Sequence, residues 1–221
     1  MHDHFDGVNE VCENLPMSPV SDPAYPTDVR AALLAAAYAE LVEHGPEGLS
    51  LRAIAARAGV SRGTPKWHFG NRAGLLTALA VQGYGQLDAD VRAALTGLTD
   101  PAARFTALGR AYMAFGLDNP ELFELMFQSG ELDRGDPALG QAQREAFSVL
   151  IDAAAATTAE PASQALPTAG DIPLLAWACS HGLVALVRGG VLQAVTGLAT
   201  RDQTAQLAYQ LANTFTQIVT P

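Results

Sequence analysis

Apolar residues recur at three- and four-residue spacing along almost the whole chain from Thr27 onward, and nowhere do they alternate with polar ones over the length of a strand. That pattern predicts an all-α protein. In the first segment Leu34, Ala37, Tyr38 and Leu41 share one helix face; Thr27 can cap it, Asp28 suits its first turn, and Gly45-Pro46 should stop it. Ser50 is placed to cap a second helix running to Ala58, with Leu49 and Ile54 spaced as a hydrophobic staple and Gly59 as the break. A short helix opening at Ser61 is expected next. Asn71 can cap a longer one carrying Leu75, Leu76, Leu79 and Val81. Gly83 and Gly85 lie inside this helix, where glycine weakens it; close packing against a neighbour and a hinge are the two readings.

Farther along, helices are predicted from Ala102 to Leu117, from Asn119-Pro120 to Gly130, and from Pro137 to about Thr158. Two more follow, from Ile172 to Arg188 and from Thr200 to Val219, the last opened by a capping box, Thr200-Arg201-Asp202-Gln203. Glu131 to Asp136 reads as a loop, residues 159–171 as a small-residue linker, and Gly189-Gly190 as a break. Residues 1–26 hold Pro16, Pro19, Pro23 and Pro26 and no apolar period, which predicts a disordered acidic arm; His2 and His4 there read as a solvated tail rather than a metal site. The expected division is therefore the arm (1–26), a three-helix head (27–75) and a larger helical body (76–221).

At 221 residues, 49% of them hydrophobic, the chain can bury a sizeable core. It has no apolar run of about twenty residues and no basic, apolar leader, so neither a membrane span nor a secretory signal is expected. Cys12 and Cys179 are too few for a disulfide framework or zinc cluster and read as free thiols in the cytoplasm. No cofactor or metal is implied. The net charge of −10 is unevenly spread: residues 27–75 carry six basic against four acidic groups, whereas 76–221 carry seven against fourteen. From Ser50 to Arg72 there are five basic residues and no acid. A small cationic head on an acidic body would touch DNA with one end only.

The same stretch has helix-turn-helix spacing. Ala55 supplies the small residue where two helices touch, Gly59 the turn, Val60 a core plug, Ser61 the next cap and Phe69 a closing aromatic. Residues 29–80 resemble the N-terminal domain of the TetR family of bacterial transcriptional regulators, through Gly45, Leu49-Ser50-Leu51, Ile54-Ala55, Ala58-Gly59-Val60-Ser61, Gly63, His68-Phe69, Arg72 and Leu75-Leu76. The segment around Trp177, His181-Gly182-Leu183 and Leu186 is similar to a C-terminal subgroup marked by a Trp and a His-Gly pair. The resemblance implies a dimer whose larger C-terminal domain binds a small ligand and controls DNA affinity.

Pro65-Lys66 departs from that pattern, which usually has an apolar residue and then Tyr. Proline fits only the first turn of a helix. A Ser61 start with distortion is the expectation; a Thr64 cap, with a helix one turn shorter, is the alternative. Arg62, Thr64, Lys66, Trp67 and His68 are the candidates for base edges and flanking phosphates, with Ser61 and Gly63 at the entry and Arg62 best suited to guanine. Ser50, Arg52 and Arg72, at helix starts, are the phosphate candidates.

In the body, Met113, Phe123, Phe127, Trp177, Cys179 and His181 are candidate pocket residues, and the scarcity of charge near them favours an apolar or weakly polar effector. Leu175, Leu183, Leu186, Leu207, Leu211 and Ile218, on the last two helices, suit a homodimer interface. The favoured function is a ligand-responsive DNA-binding regulator, read as a repressor on a near-palindromic operator. An enzyme built on His181 and Cys179 lacks a supporting nucleophile–base–orienter set. A helical interaction protein that has lost DNA binding, with Pro65 as the damaging change, is the alternative.

Overall fold

The computed structural model describes residues 28–155 and 171–219, which form ten α-helices and, among the described residues, no strand. The expected acidic arm lies outside them, as does the 159–171 linker apart from Asp171. In chain order the helices are α1 (Val29–Gly48), α2 (Leu51–Arg57), α3 (Thr64–Phe69), α4 (Arg72–Leu95), α5 (Pro101–Asp118), α6 (Pro120–Gln128), α7 (Pro137–Ala155), α8 (Asp171–Arg188), α9 (Val191–Thr196) and α10 (Arg201–Val219).

Local chemistry sets most of the boundaries. Asp28, not Thr27, caps α1, its carboxylate accepting from the Ala31 N–H at 2.9 Å. At Gly45 the backbone turns to φ 70°, and Pro46 begins one further turn after the kink. Asp100 caps α5 through the Ala103 N–H (2.8 Å), with Pro101 at the first helical position, where a missing N–H costs nothing. The capping box of α10 is formed: Thr200 Oγ1 accepts from the Gln203 N–H, and Gln203 Oε1 accepts from the Thr200 N–H. After the Gly189-Gly190 break the chain makes a further short helix, α9, which the sequence reading missed.

Helices α1, α2 and α3 enclose a small core of Leu33, Ala37, Leu41, Leu49, Ile54 and Ala55, closed from below by Leu75 and Leu76 of α4. Helix α4 then runs on into the body, packing along α5, α6 and α7, while α8 packs against α5 and α10. One continuous apolar cluster spans both parts. Helix α4 is unbroken at its two glycines. A Cβ on Gly83 would lie 2.7 Å from Met126 Sδ and 3.0 Å from Leu122 Cδ1, so Gly83 lets α6 approach closely. At Gly85 nothing lies within 4 Å.

The two positions should therefore respond oppositely to alanine. Gly85→Ala removes only a weak helix former and should raise unfolding free energy by about 1 kcal/mol. Gly83→Ala forces Met126 and Leu122 aside and should lower it by about 1–3 kcal/mol. Denaturant titration with an unchanged m-value checks both.

Candidate nucleic-acid interface and ligand cavity

The turn between α2 and α3 is built as its residues dictate. Ser50 Oγ accepts from the Ala53 N–H at 3.5 Å to cap α2, and the flanking Leu49 and Ile54 are both buried. Gly59 takes φ 69°, a region a Cβ disfavours, and Val60 N–H closes the turn onto Ala55 O at 3.0 Å. Helix α3 corrects the expected Ser61 start. Residues 61–63 form a turn, held by Ser61 Oγ and Thr64 Oγ1 at 2.8 Å, and Gly63 is the N-cap. Pro65 is thus the second helical residue, where its absent N–H would have had no intrahelical partner, and its buried ring packs inward without distortion.

The five basic residues of this region divide into two groups. Arg57 is committed to the subunit: its guanidinium bonds Glu40 (3.0 Å) and Glu43, and holds the Glu43 carboxyl below its ordinary range. Arg72 is committed as well, donating to the carbonyls of Leu49 and Pro46 and pairing with Glu131 at 2.7 Å. Arg52, Arg62 and Lys66 are exposed and, among the described residues, have no carboxylate partner. With them stand exposed His68 and Trp67, the latter 88% exposed on a six-residue helix. Ser50, Ser61 and Gly63 are exposed and Thr64 half-buried. One cation was overlooked: Arg30 of α1 lies 5.3 Å above the Phe69 ring, adding a positive charge beside α3.

The body contains a cavity of about 620 Å³ between α4, α5, α6, α7, α8 and α10. Of the six pocket candidates, Phe127, Trp177 and Cys179 line it. Met113 and Phe123 do not; they are fully buried in the packing behind it. His181 is also absent from the wall. Its Nδ1 lies 2.8 Å from Tyr112 Oη, its ring stacks on Phe123 with centroids 5.0 Å apart, and burial holds its pKa below the ordinary histidine value. Tyr112 in turn accepts from Trp177 Nε1 at 3.0 Å, so a satisfied histidine braces two cavity-wall aromatics. Burial raises the Cys179 thiol pKa, which keeps it protonated and a poor nucleophile.

Sequence reasoning missed most of the polar wall. Tyr84, Thr106, Gln143, Asn213, Arg134 and Arg144 all line the cavity. Gly140, Gln143, Arg144 and Phe147 recur at three- and four-residue intervals, so a shared face of α7 was detectable; Arg134, in a loop, gave no such signal. That loop also connects the two regions. It carries Glu131, which pairs with Arg72, Asp133, whose N–H donates to Thr77 Oγ1 of α4 at 2.9 Å, and Arg134 at the cavity. Nearby, Tyr38 of α1 donates to Asn119 Oδ1 (3.2 Å) at the start of α6.

A three-helix head with a short, exposed second crossing helix, joined through α4 to a hollow helical body, is the build of a transcriptional regulator with a separate effector domain. Comparison with known families agrees. Residues 33–79 match the bacterial regulatory proteins of the tetR family, and residues 105–214 match the tetracyclin repressor-like C-terminal domain. The chain belongs to the TetR family of bacterial transcriptional regulators, and is not an enzyme. A protein of unknown function from Rhodococcus sp. RHA1 is 32% identical, with a TM-score of 0.70 over 90% of this chain and 100% of that one. The same fold occurs in LfrR from Mycobacterium smegmatis in complex with proflavine (20% identity, TM-score 0.57, 83% and 94% covered). It occurs also in AibR in complex with isovaleryl coenzyme A and operator DNA (17%, TM-score 0.58, 83% and 97% covered). No curated protein matches the chain.

Two expectations follow from these contacts. Arg72→Ala strands two carbonyls and Glu131, and should destabilise the protein by about 2–3 kcal/mol in denaturant titration. For His181, the native ring binds its proton less readily than the unfolded one. Its contribution is therefore complete above the unfolded pKa and lost as pH falls from about 6.5 through the lower native value. The wild-type Tm should drop more between pH 7.5 and 5.5 than that of His181→Gln.

Proposed function

We propose that this regulator binds a near-palindromic operator as a homodimer, acts in the cytoplasm as a repressor, and releases DNA when the body cavity takes up a small molecule with a largely apolar frame. The observation carrying this reading is the exposed face of α2 and α3, where Arg52, Arg62, Lys66 and Trp67 stand without internal partners in a chain of net charge −10. Unpaired cations there favour an anionic surface, and α3 is the element that enters a major groove, with Arg62 toward guanine and Thr64, Trp67 and His68 beside it. Arg52, Lys66 and Arg30 would hold phosphates. Arg72 is reassigned: its bonds to Glu131 and two carbonyls make it a strut rather than a phosphate contact.

A single short helix buries too little for a specific complex, so two heads about 34 Å apart are required. Leu175, Leu186, Leu211 and Ile218 are exposed on α8 and α10 and support dimerisation through those helices. Leu183 is instead buried in the subunit core and Leu207 half-buried. Among the described residues, no helix is long and apolar enough to cross a membrane. The complexes of LfrR with proflavine and of AibR with isovaleryl coenzyme A and operator DNA support a ligand-responsive reading of the shared fold. Coupling would run through the loop that holds Arg72 and Thr77 on one side and lines the cavity on the other, shifting the spacing of the heads. The alternative of a protein that has lost DNA binding rested on Pro65, and the position of Pro65 in the first turn of α3 removes that ground.

Selection of bound fragments from a genomic DNA library, followed by mobility shift, tests the proposal. Three phosphate-holding cations per head (Arg30, Arg52 and Lys66), six per dimer, predict a log–log salt slope of about −5. Arg52→Ala should reduce its magnitude by about 2, and Arg62→Ala should abolish preference for the selected fragments over unrelated DNA. Retained preference in Arg62→Ala, or a slope near zero, would overturn the assignment.

A further inference from the structure

The body as a whole is acidic, with fourteen acidic against seven basic residues over 76–221. The cavity wall reverses that sign: among the described residues it includes Arg134 and Arg144 and not one Asp or Glu. Among the described residues no carboxylate pairs with either; Arg134 reaches only the Ser129 carbonyl at 3.4 Å, and Glu145, the neighbour of Arg144, accepts instead from Gln141 at 2.8 Å. Both side chains are exposed, which places their charges at the solvent side of the cavity while aromatic and aliphatic residues form its walls. Gln143 Nε2 and Tyr84 Oη, 3.3 Å apart, extend the polar edge beside them. Burial raises the Tyr84 phenol pKa there, and the Gln143 hydrogen bond and the Arg134 charge work against that rise.

We infer that the cavity takes an apolar molecule bearing a single terminal oxyanion, with the anion at Arg134 and Arg144 and the apolar body directed toward Phe127, Phe147 and Trp177. Guanidinium groups present a planar fork of donors that matches a carboxylate, sulfonate or phosphate edge. A cationic ligand would meet two like charges and no counter-charge. This inference rests on the reading of the cavity as the effector site, and it narrows the apolar effector expected from the sequence to an amphiphilic anion.

A matched pair of fluorescent probes tests it on the full-length protein: 8-anilinonaphthalene-1-sulfonate, and N-phenyl-1-naphthylamine, which has the same frame without the sulfonate. The sulfonate probe should bind at least tenfold more tightly, in line with one or two charge-assisted hydrogen bonds, and the two probes should displace each other. The double variant Arg134→Ala/Arg144→Ala should lose that advantage while binding the neutral probe as the wild type does. Arg201→Ala, which removes an exposed positive charge on α10 away from the cavity wall, should keep it. Equal affinities for the two probes, or an advantage that survives the double variant, would overturn the anion preference and leave the cavity reading standing. Failure of both probes to bind the wild type would overturn the cavity reading and this inference together.

Discussion

The geometry of the molecule depends on the guanidinium of Arg72. It sits at the first position of α4, receives no help from an acid in its own turn, and bonds the carbonyls of Leu49 and Pro46 above and the carboxylate of Glu131 below. Those carbonyls belong to the segment between the α1 kink and α2, so the bonds tie that segment to the start of α4. Glu131 belongs to the loop that also sends Arg134 to the cavity. One side chain therefore ties the reading head, the long connecting helix and the effector domain to each other. Removal of Arg72 leaves two part-buried carbonyls without their donor, whereas Glu131, nearly half exposed, can turn to water.

Around this strut the charges are sorted by role. Arg57 and Arg72 are used internally, and Arg52, Arg62 and Lys66 are left facing solvent. An acidic body below a head with unpaired cations confines attraction for a polyanion to one end of the chain's fold. Within the body the pattern inverts locally: among the described residues the cavity wall holds no Asp or Glu and carries two arginines at its edge. His181 contributes differently, as a neutral brace between Tyr112 and the ring of Phe123.

What could be read from the sequence was what short-range chemistry decides. Leu49, Ser50, Ile54 and Gly59 define the start of α2 and the turn after it within eleven residues, and Thr200 and Gln203 define the start of α10 within four. The family resemblance followed from the same local pattern. Long-range pairing was not legible: Arg72 looked like a phosphate ligand because Glu131 lies 59 residues away in the chain. Apolar side chains such as Met113 and Phe123 could not be told from cavity wall, since core and pocket demand the same residue types. The start of α3 failed for a subtler reason. A good cap at Ser61 competed with the steric demand of Pro65, and the proline moved the helix start to Thr64, with Ser61 bonding the Thr64 hydroxyl instead.

The Arg72–Glu131 pair is proposed to hold the head at the angle at which it meets DNA. The most direct measurement is the affinity of Glu131→Gln for a DNA fragment selected by the wild-type protein, taken across a range of salt concentrations with the dimer intact. Glu131 is not itself one of the proposed nucleic-acid contacts, so the expected result is an affinity altered several-fold with the salt slope unchanged. An affinity identical to the wild type would show that the strut does not govern the head.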